Sequence, residues 1–210
     1  RVPVGGYIHG SLYHSQSIDG YFAHTPGLKV VYPSNASDAK GLLKYACRCD
    51  DPVLFMEHKG IYRQGFASSL EPDENYLLPF GKAKVVQEGN DLTIVTWGAI
   101  VQKALEASRN SGKSVEVIDI RTLNPLDIDT ILDSIKKTNR VIVAHEDHLT
   151  SGFGSEIAAQ ISDVGFEFLD APVKRVASKD VHVAYSPNLE NEILVQTSWI
   201  EQEIEEILTY

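Results

Sequence analysis

The chain is poor in methionine, in cysteine, in long apolar runs and, over its last thirty residues, in positive charge. Met56 is the only methionine, so Arg1 is not an initiator, and the chain is expected to be a processed product or a piece of something longer. No apolar run approaches membrane-spanning length, and the opening Arg1-Val2-Pro3-Val4-Gly5-Gly6 lacks the shape of a signal peptide, so a soluble protein with no membrane partner is expected. Cys47 and Cys49 lie two apart in what reads as a helix end, where side chains do not face each other, which argues against a disulfide. Cys-Arg-Cys is also too little for a zinc site. Reduced thiols fit a cytosolic or organelle-matrix protein.

The net charge of −10 offers no basic stripe to nucleic acid. Its distribution is uneven. Residues 1–70 carry 7 basic and 5 acidic side chains, and residues 71–210 carry 12 and 24. Beyond Lys179 come Asp180, Glu190, Glu192, Glu201, Glu203, Glu205 and Glu206 with no cation among them. This pattern suggests two units and an acidic final face, solvated for the most part and otherwise suited to docking a basic partner.

What the chain does have is an uncharged polar stretch near its start, Gly10-Ser11-Leu12-Tyr13-His14-Ser15-Gln16-Ser17. With Gly5-Gly6 before it and Pro26-Gly27 after it, the spacing predicts a loop entering a short helix, with His14 near the helix N-terminus and Ser15 or Ser17 as its cap. Leu28–Tyr32 reads as a buried strand, Asn35 with Asp38 as the start of a helix over Ala39, Leu42, Leu43 and Ala46, and Val53–Met56 as a second strand ending in polar Glu57-His58-Lys59. Residues 64–80 show no periodicity. Beyond them strands at Leu92–Thr96, Val115–Asp119, Val141–Ala144 and Val173–Val176 alternate with helical patterns. Asp127 is placed as one helix cap, Thr150 or Ser151 as another, and Ser198 with Glu201 as a capping box for the last helix. The reading is an α/β protein: an incomplete parallel sheet over 1–65, a linker over 66–80, and a three-layer α/β/α domain over 81–210 with a mainly parallel sheet.

Three places could carry chemistry. His14 has Ser15 and Ser17 beside it, but no Gly-x-Ser-x-Gly elbow occurs. His145-Glu146-Asp147-His148 ends a strand and precedes Gly152-Phe153-Gly154, where anions or a metal could sit; the fingerprint is poor for a dinucleotide, and a structural or interface role is the preferred reading. Arg121 could bind an anion or pair with an acid across a domain interface, and the interface is preferred.

With these segments placed, the sequence resembles the beta subunits of the thiamine-dependent 2-oxoacid dehydrogenases, most of all the branched-chain (2-oxoisovalerate) members. The matching text runs in register through His9–Ser17, Phe22–Val31, Asp38–Leu43, Glu116–Leu123, Ser151–Ile157 and Asp170–Val176. The resemblance implies the back half of a pyrimidine-binding domain followed by a transketolase C-terminal domain. It implies that His14 lies by the thiazolium, positions substrate and exchanges a proton, with Tyr13, Ser15 and Gln16 as substrate-channel candidates; Arg121, His145 and Glu146 stay interface candidates on the reading of the residues themselves. It implies thiamine diphosphate with magnesium, shared with an upstream half-domain and an alpha subunit or fused alpha half. It also implies homo-oligomer contacts and a lipoyl acyltransferase core. A potassium site is implied around Ala46, Cys49 and Asp51, although Cys49 stands where the family pattern has an acid. The chain alone is expected to be inactive, and its alternative role is that of an assembly module. The phosphosugar-binding residues of transketolase itself are not supplied by this spacing.

Overall fold

The computed structural model describes residues 1–210. The first unit contains β1 (Val2–Val4), a single helical turn α1 (Ser11–His14), α2 (Asp19–Ala23), β2 (Lys29–Val31), α3 (Ala36–Ala46) and β3 (Val53–His58). The second contains β4 (Lys84–Gln87), β5 (Leu92–Thr96), α4 (Ile100–Ser111), β6 (Val115–Asp119), β7 (Thr122–Asn124), α5 (Ile128–Thr138), β8 (Val141–His148), α6 (Phe153–Val164), β9 (Lys174–Ser178), α7 (Pro187–Ile193) and α8 (Thr197–Ile207). No helix is long and apolar enough to cross a membrane.

The second sheet has the order β4-β6-β5-β8-β9, parallel except for the antiparallel edge strand β4. Every residue of β5 and β6 is buried, as a sheet covered on both faces requires. Alternate residues serve opposite faces. Leu92 and Ile94 pack with Ile100, Ala104, Ile200 and Ile204 of α4 and α8, whereas Val95 joins Ile131, Ile135, Ile157 and Ile161 of α5 and α6. The outcome is an α/β/α sandwich.

The first sheet has the order β1-β3-β2-β7. Its fourth strand comes from the second unit: β7 pairs antiparallel with β2, Val31 opposite Thr122. Val4, Val30, Tyr32 and Met56 also share one apolar cluster with Val95, Ile118 and Val143. The two units therefore have a common core. The intervening segment lies along α3, with Lys40 Nζ donating to Pro72 O at 2.6 Å and Leu78 N to Gly41 O at 3.2 Å.

Asn35 caps α3 by accepting from Asp38 N at 3.0 Å, and Asp127 caps α5 by accepting from Thr130 N at 3.3 Å. Other expected caps are absent. The residue before α6 is Gly152, while Thr150 donates through N and Oγ1 to Asp180 at 2.9 and 2.6 Å, so neither Thr150 nor Ser151 opens that helix. The residue before α8 is Gln196 and no side chain caps it; the Ser198 and Glu201 box does not form, because Ser198 already lies inside the first turn. Two strands run further than expected, β3 to His58 and β8 to His148, because His58, His145, Glu146 and Asp147 are buried between the units, while Glu57 and His148 stay half-buried.

Candidate functional site

Between β1 and α1 the backbone takes an uncommon course. Gly5, Tyr7, His9 and Ser11 all have positive φ, at 85°, 59°, 56° and 56°. A left-handed conformation costs a non-glycine residue about 1 kcal/mol or more, so this alternation persists only if its surroundings impose it. Glycine is required where the segment meets its neighbours: a Cβ on Gly5 would stand 2.2 Å from His58 Nε2, and one on Gly6 would stand 2.3 Å from Leu194 Cδ1.

The segment delivers α1 with Tyr13 81% exposed and His14 exposed beside it. His14 is the last residue of this turn. It does not sit at a helix N-terminus as expected, because the turn begins at Ser11 and α2 starts only at Asp19, after Ile18. The Lys59 ammonium donates to the His14 carbonyl, and burial lowers the Lys59 pKa. Neither Ser15 nor Ser17 caps a helix. Ser15 is fully buried and its Oγ accepts from Gly10 N at 2.9 Å, so it braces the turn and lines no channel within this chain. Gln16 is half-buried, and its carbonyl accepts from Gly5 N at 2.9 Å.

Beneath the turn lies a buried polar layer supplied by both units. Glu146 Oε1 accepts from Gly6 N at 2.6 Å and Oε2 lies 2.5 Å from His58 Nε2. His58 Nδ1 accepts from Gly60 N at 3.0 Å, so the hydrogen bonds assign the ring proton to Nε2, which donates to Glu146. The Tyr7 and Tyr32 rings stack on His58 with centroids at 5.9 and 6.3 Å. Burial, and secondarily the Glu146 charge, pushes both phenols well up. Glu190 of α7 is also fully buried and takes His9 N at 3.1 Å and His9 Nδ1 at 2.7 Å. It is no part of a solvated acidic face; Leu189 beside it is 57% exposed while the acid points inward.

A third carboxylate, Asp147, accepts from Gly20 N at 3.1 Å and faces Asp19, which also accepts from Trp97 Nε1. Burial first, and the Asp147 charge second, raises the Asp19 pKa well above its ordinary value. His145 stacks on Trp97 with centroids 5.2 Å apart and planes 3° from parallel, and neither ring nitrogen has a partner. Burial lowers its pKa to about 3, which keeps it neutral. A folded value far below the unfolded 6.5 means stability is complete above pH 6.5 and is lost as pH falls toward 3. His145→Phe forfeits no hydrogen bond. It should leave stability at pH 7.5 within about 1 kcal/mol of the native chain and exceed it by about 2 kcal/mol at pH 5 in urea denaturation. Equal losses in both chains between these pH values would refute the assignment.

At the far side of the interface Arg121, itself at φ 59°, makes two 2.9 Å bonds to Asp38, while its N–H reaches Asp119 at 3.0 Å. Burial raises Asp119 to about 6. Elsewhere the Ala46 carbonyl accepts from Cys49 N at 3.2 Å and Asp51 lies 3.5 Å from Lys29 Nζ. No group of three His, Cys, Asp or Glu side chains is placed to hold a metal, so His145 and His148 do not build one. The acidic tail is largely matched by its own chain, through Lys174–Glu203 at 3.0 Å, Lys113–Glu205 at 3.6 Å and Lys179–Glu192 at 3.6 Å.

The layered interface coincides with the boundary between two recognisable families. Residues 1–64 match the family described as transketolase, pyrimidine binding domain, and residues 81–200 match transketolase, C-terminal domain. The chain belongs to the transketolase C-terminal domain family. This transketolase-family chain is 44% identical over 214 residues to the 2-oxoisovalerate dehydrogenase subunit beta of Bacillus subtilis (strain 168), covering 100% of the chain and 65% of that relative. It is 45% identical over 201 residues to the mitochondrial pyruvate dehydrogenase E1 component subunit beta of Dictyostelium discoideum, covering 94% and 56%. To the mitochondrial 2-oxoisovalerate dehydrogenase subunit beta of the same organism it is 46% identical over 184 residues, covering 86% and 49%. The chain thus spans about half to two-thirds of the length of these relatives. A solved structure described as a split gene transketolase, inactive beta4 tetramer, shares the fold with a TM-score of 0.78 at 23% identity, over 99% of this chain and 65% of that one.

Sequence reasoning placed His14, Arg121, His145 and Glu146 among the candidates, with Asp147 beside them in the second polar run, but passed over His58, Asp19 and Glu190. For Glu190 the local pattern gave no signal, since Leu189 and Ile193, four apart, are the apolar pair of the helix Pro187–Ile193.

Proposed function

We propose that this chain is part of the decarboxylating component of a 2-oxoacid dehydrogenase complex, with residues 1–65 and 81–210 as its two units and 66–80 as the linker. The carrying observation is the exposed His14 imidazole, presented with Tyr13 on a turn braced from beneath, within the unit that matches a pyrimidine-binding domain. These residues suit one wall of a thiamine diphosphate site. When bound, that cofactor supplies the carbanion chemistry of decarboxylation and acyl transfer. His14 contributes a proton donor and acceptor, and Tyr13 contributes an apolar ring with a polar tip to the substrate side. Asp19, His58, Glu146 and Asp147 hold the main chain that carries them and touch no substrate.

Magnesium, which the resemblance implies, is proposed to be held with the diphosphate by the alpha partner. The assembly we propose comprises an alpha subunit or fused alpha half, a second copy of this chain, and a lipoyl acyltransferase core, in a bacterial cytoplasm or a mitochondrial matrix. A branched-chain oxoacid is the proposed substrate; the His-Gly-x-Leu-Tyr-His-Ser-Gln-Ser form supports it, while identity alone does not separate it from pyruvate.

Reconstitution with the upstream half-domain and alpha partner tests the reading. His14→Ala should lower kcat/KM for 2-oxoisovalerate by about 10²–10⁴-fold in lipoyl acylation, the range for a lost proton-transfer group. Native-level acylation in that variant would remove His14 from the mechanism.

A further inference from the structure

The chain passes a strained segment directly beneath α1, and one short stretch of the second unit grips it at three points. Leu194 packs on Gly6, Val195 O accepts from Tyr7 OH at 2.9 Å, and Glu190 takes both the N–H and the ring nitrogen of His9. The gripped residues include two of the three non-glycine residues with positive φ in this segment, Tyr7 and His9. From His9 the path to the imidazole is short. Gly10 N donates to Ser15 Oγ at 2.9 Å, and His14 N donates to Gly10 O at 3.2 Å.

Glu190 is the one charged member of this strap, and it is fully buried. Its only bonded partner from the first unit is His9, whose ring is half exposed at the rim, so the acid is not neutralised by a buried cation. A carboxylate placed so has little reason to be there for stability, because burial disfavours the charge. It does what an apolar residue cannot: it fixes the direction of one backbone N–H and one ring at the foot of α1.

We propose that Glu190 is a positioning residue for His14, holding residues 5–11 in their left-handed course so that the imidazole stands at a defined place. The catalytic half of this proposal rests on the function proposed above, while its structural half does not. Loss of the grip lets Tyr7, His9 and Ser11 relax toward ordinary backbone, and the turn moves with them.

The test uses the assembled enzyme and two readouts. In hydrogen–deuterium exchange, Glu190→Ala should speed exchange of residues 5–16 by about tenfold or more and leave β5 and β8 unchanged. In lipoyl acylation it should lower kcat by about 10–10²-fold with little change in KM, as a misplaced proton donor does. Glu190→Gln keeps a carbonyl oxygen for His9 N–H and should recover most of both effects. Added to His14→Ala, Glu190→Ala should cause no further fall in kcat, since it acts through the residue already removed. Unchanged exchange in residues 5–16 overturns the proposal. So does a kcat loss that persists undiminished in the His14→Ala background. Should Glu190→Ala fail to fold, the same measurements on Glu190→Gln and His9→Ala decide. If His14→Ala proves fully active while exchange in 5–16 still responds to Glu190, the strap stands and the catalytic reading alone falls.

Discussion

Arg121→Ala should destabilise the chain by about 3–5 kcal/mol, the cost of leaving one member of a buried ion pair without its partner. The guanidinium side chain is 9% exposed and that of Asp38 is 2% exposed, and two parallel 2.9 Å bonds join them. Asp38 also receives Asn35 Nδ2 at 2.8 Å, which cannot neutralise its charge. For a chain of this length the loss corresponds to a melting temperature lower by roughly 10 °C, readable by calorimetry or by circular dichroism. A second consequence concerns pH. Asp119 titrates near 6 when folded against 3.8 when unfolded, so its favourable contribution is full below 3.8 and is lost as pH rises through 6. Arg121 is one of the groups that hold this value down. Removing it moves the window upward, and the variant should keep losing stability above pH 6 where the native chain has levelled. Replacing both partners, as in Arg121→Met with Asp38→Leu, should recover much of the loss because no buried charge remains. An Arg121→Ala cost under about 1 kcal/mol would mean that the pair is solvated and does not lock the units.

Much of the second sheet was legible from the amino acids because its information is local. Strands β5 and β6 lie where their runs predicted, and Asn35 and Asp127 cap the helices they precede. The unread parts are those whose meaning is non-local. Strand β7 is three residues long and pairs with β2, some ninety positions earlier, so nothing in Thr122-Leu123-Asn124 announces a strand. The edge strands β1 and β4 are similarly brief and depend on partners that local patterning does not identify.

The candidate site shows the same division more sharply. Polar runs such as Glu57-His58 and His145–His148 read as strand ends, with an interface role preferred only for the second, whereas His58, His145, Glu146 and Asp147 together are the buried seam between two units. Composition cannot distinguish a polar residue that meets solvent from one that meets a partner found far along the chain. The inward Glu190 and outward Leu189 invert the usual rule for one reason: the acid has a backbone N–H and a ring nitrogen to meet. His14 itself was found from its neighbours, but its place at the end of the turn depends on the left-handed residues before it, which no propensity would assign to Tyr7 or His9.

Glu146 offers the second large effect, and donor counting decides it. Three donors meet here, the buried Gly6 N–H and His58 Nε2–H and the half-buried Gly60 N–H, and three acceptors meet them, the two Glu146 oxygens and His58 Nδ1. Glu146→Gln preserves shape but turns one acceptor into a donor. With the amide nitrogen toward His58, the ring must move its proton to Nδ1 and then opposes Gly60 N–H; with the amide nitrogen toward Gly6, two donors face each other there. Every orientation strands one donor, so the isosteric change should cost about 1–3 kcal/mol. Glu146→Ala strands two donors and opens a cavity, for an expected loss of about 3–6 kcal/mol. The double variant His58→Phe with Glu146→Gln should fall short of the sum of its singles, because the ring no longer competes for the missing acceptor. Urea denaturation of the four chains measures the cycle, and the nitrogen chemical shifts of His58 report its tautomer directly. A Glu146→Gln chain as stable as the native one, with His58 still protonated at Nε2, would show that the seam has an acceptor to spare.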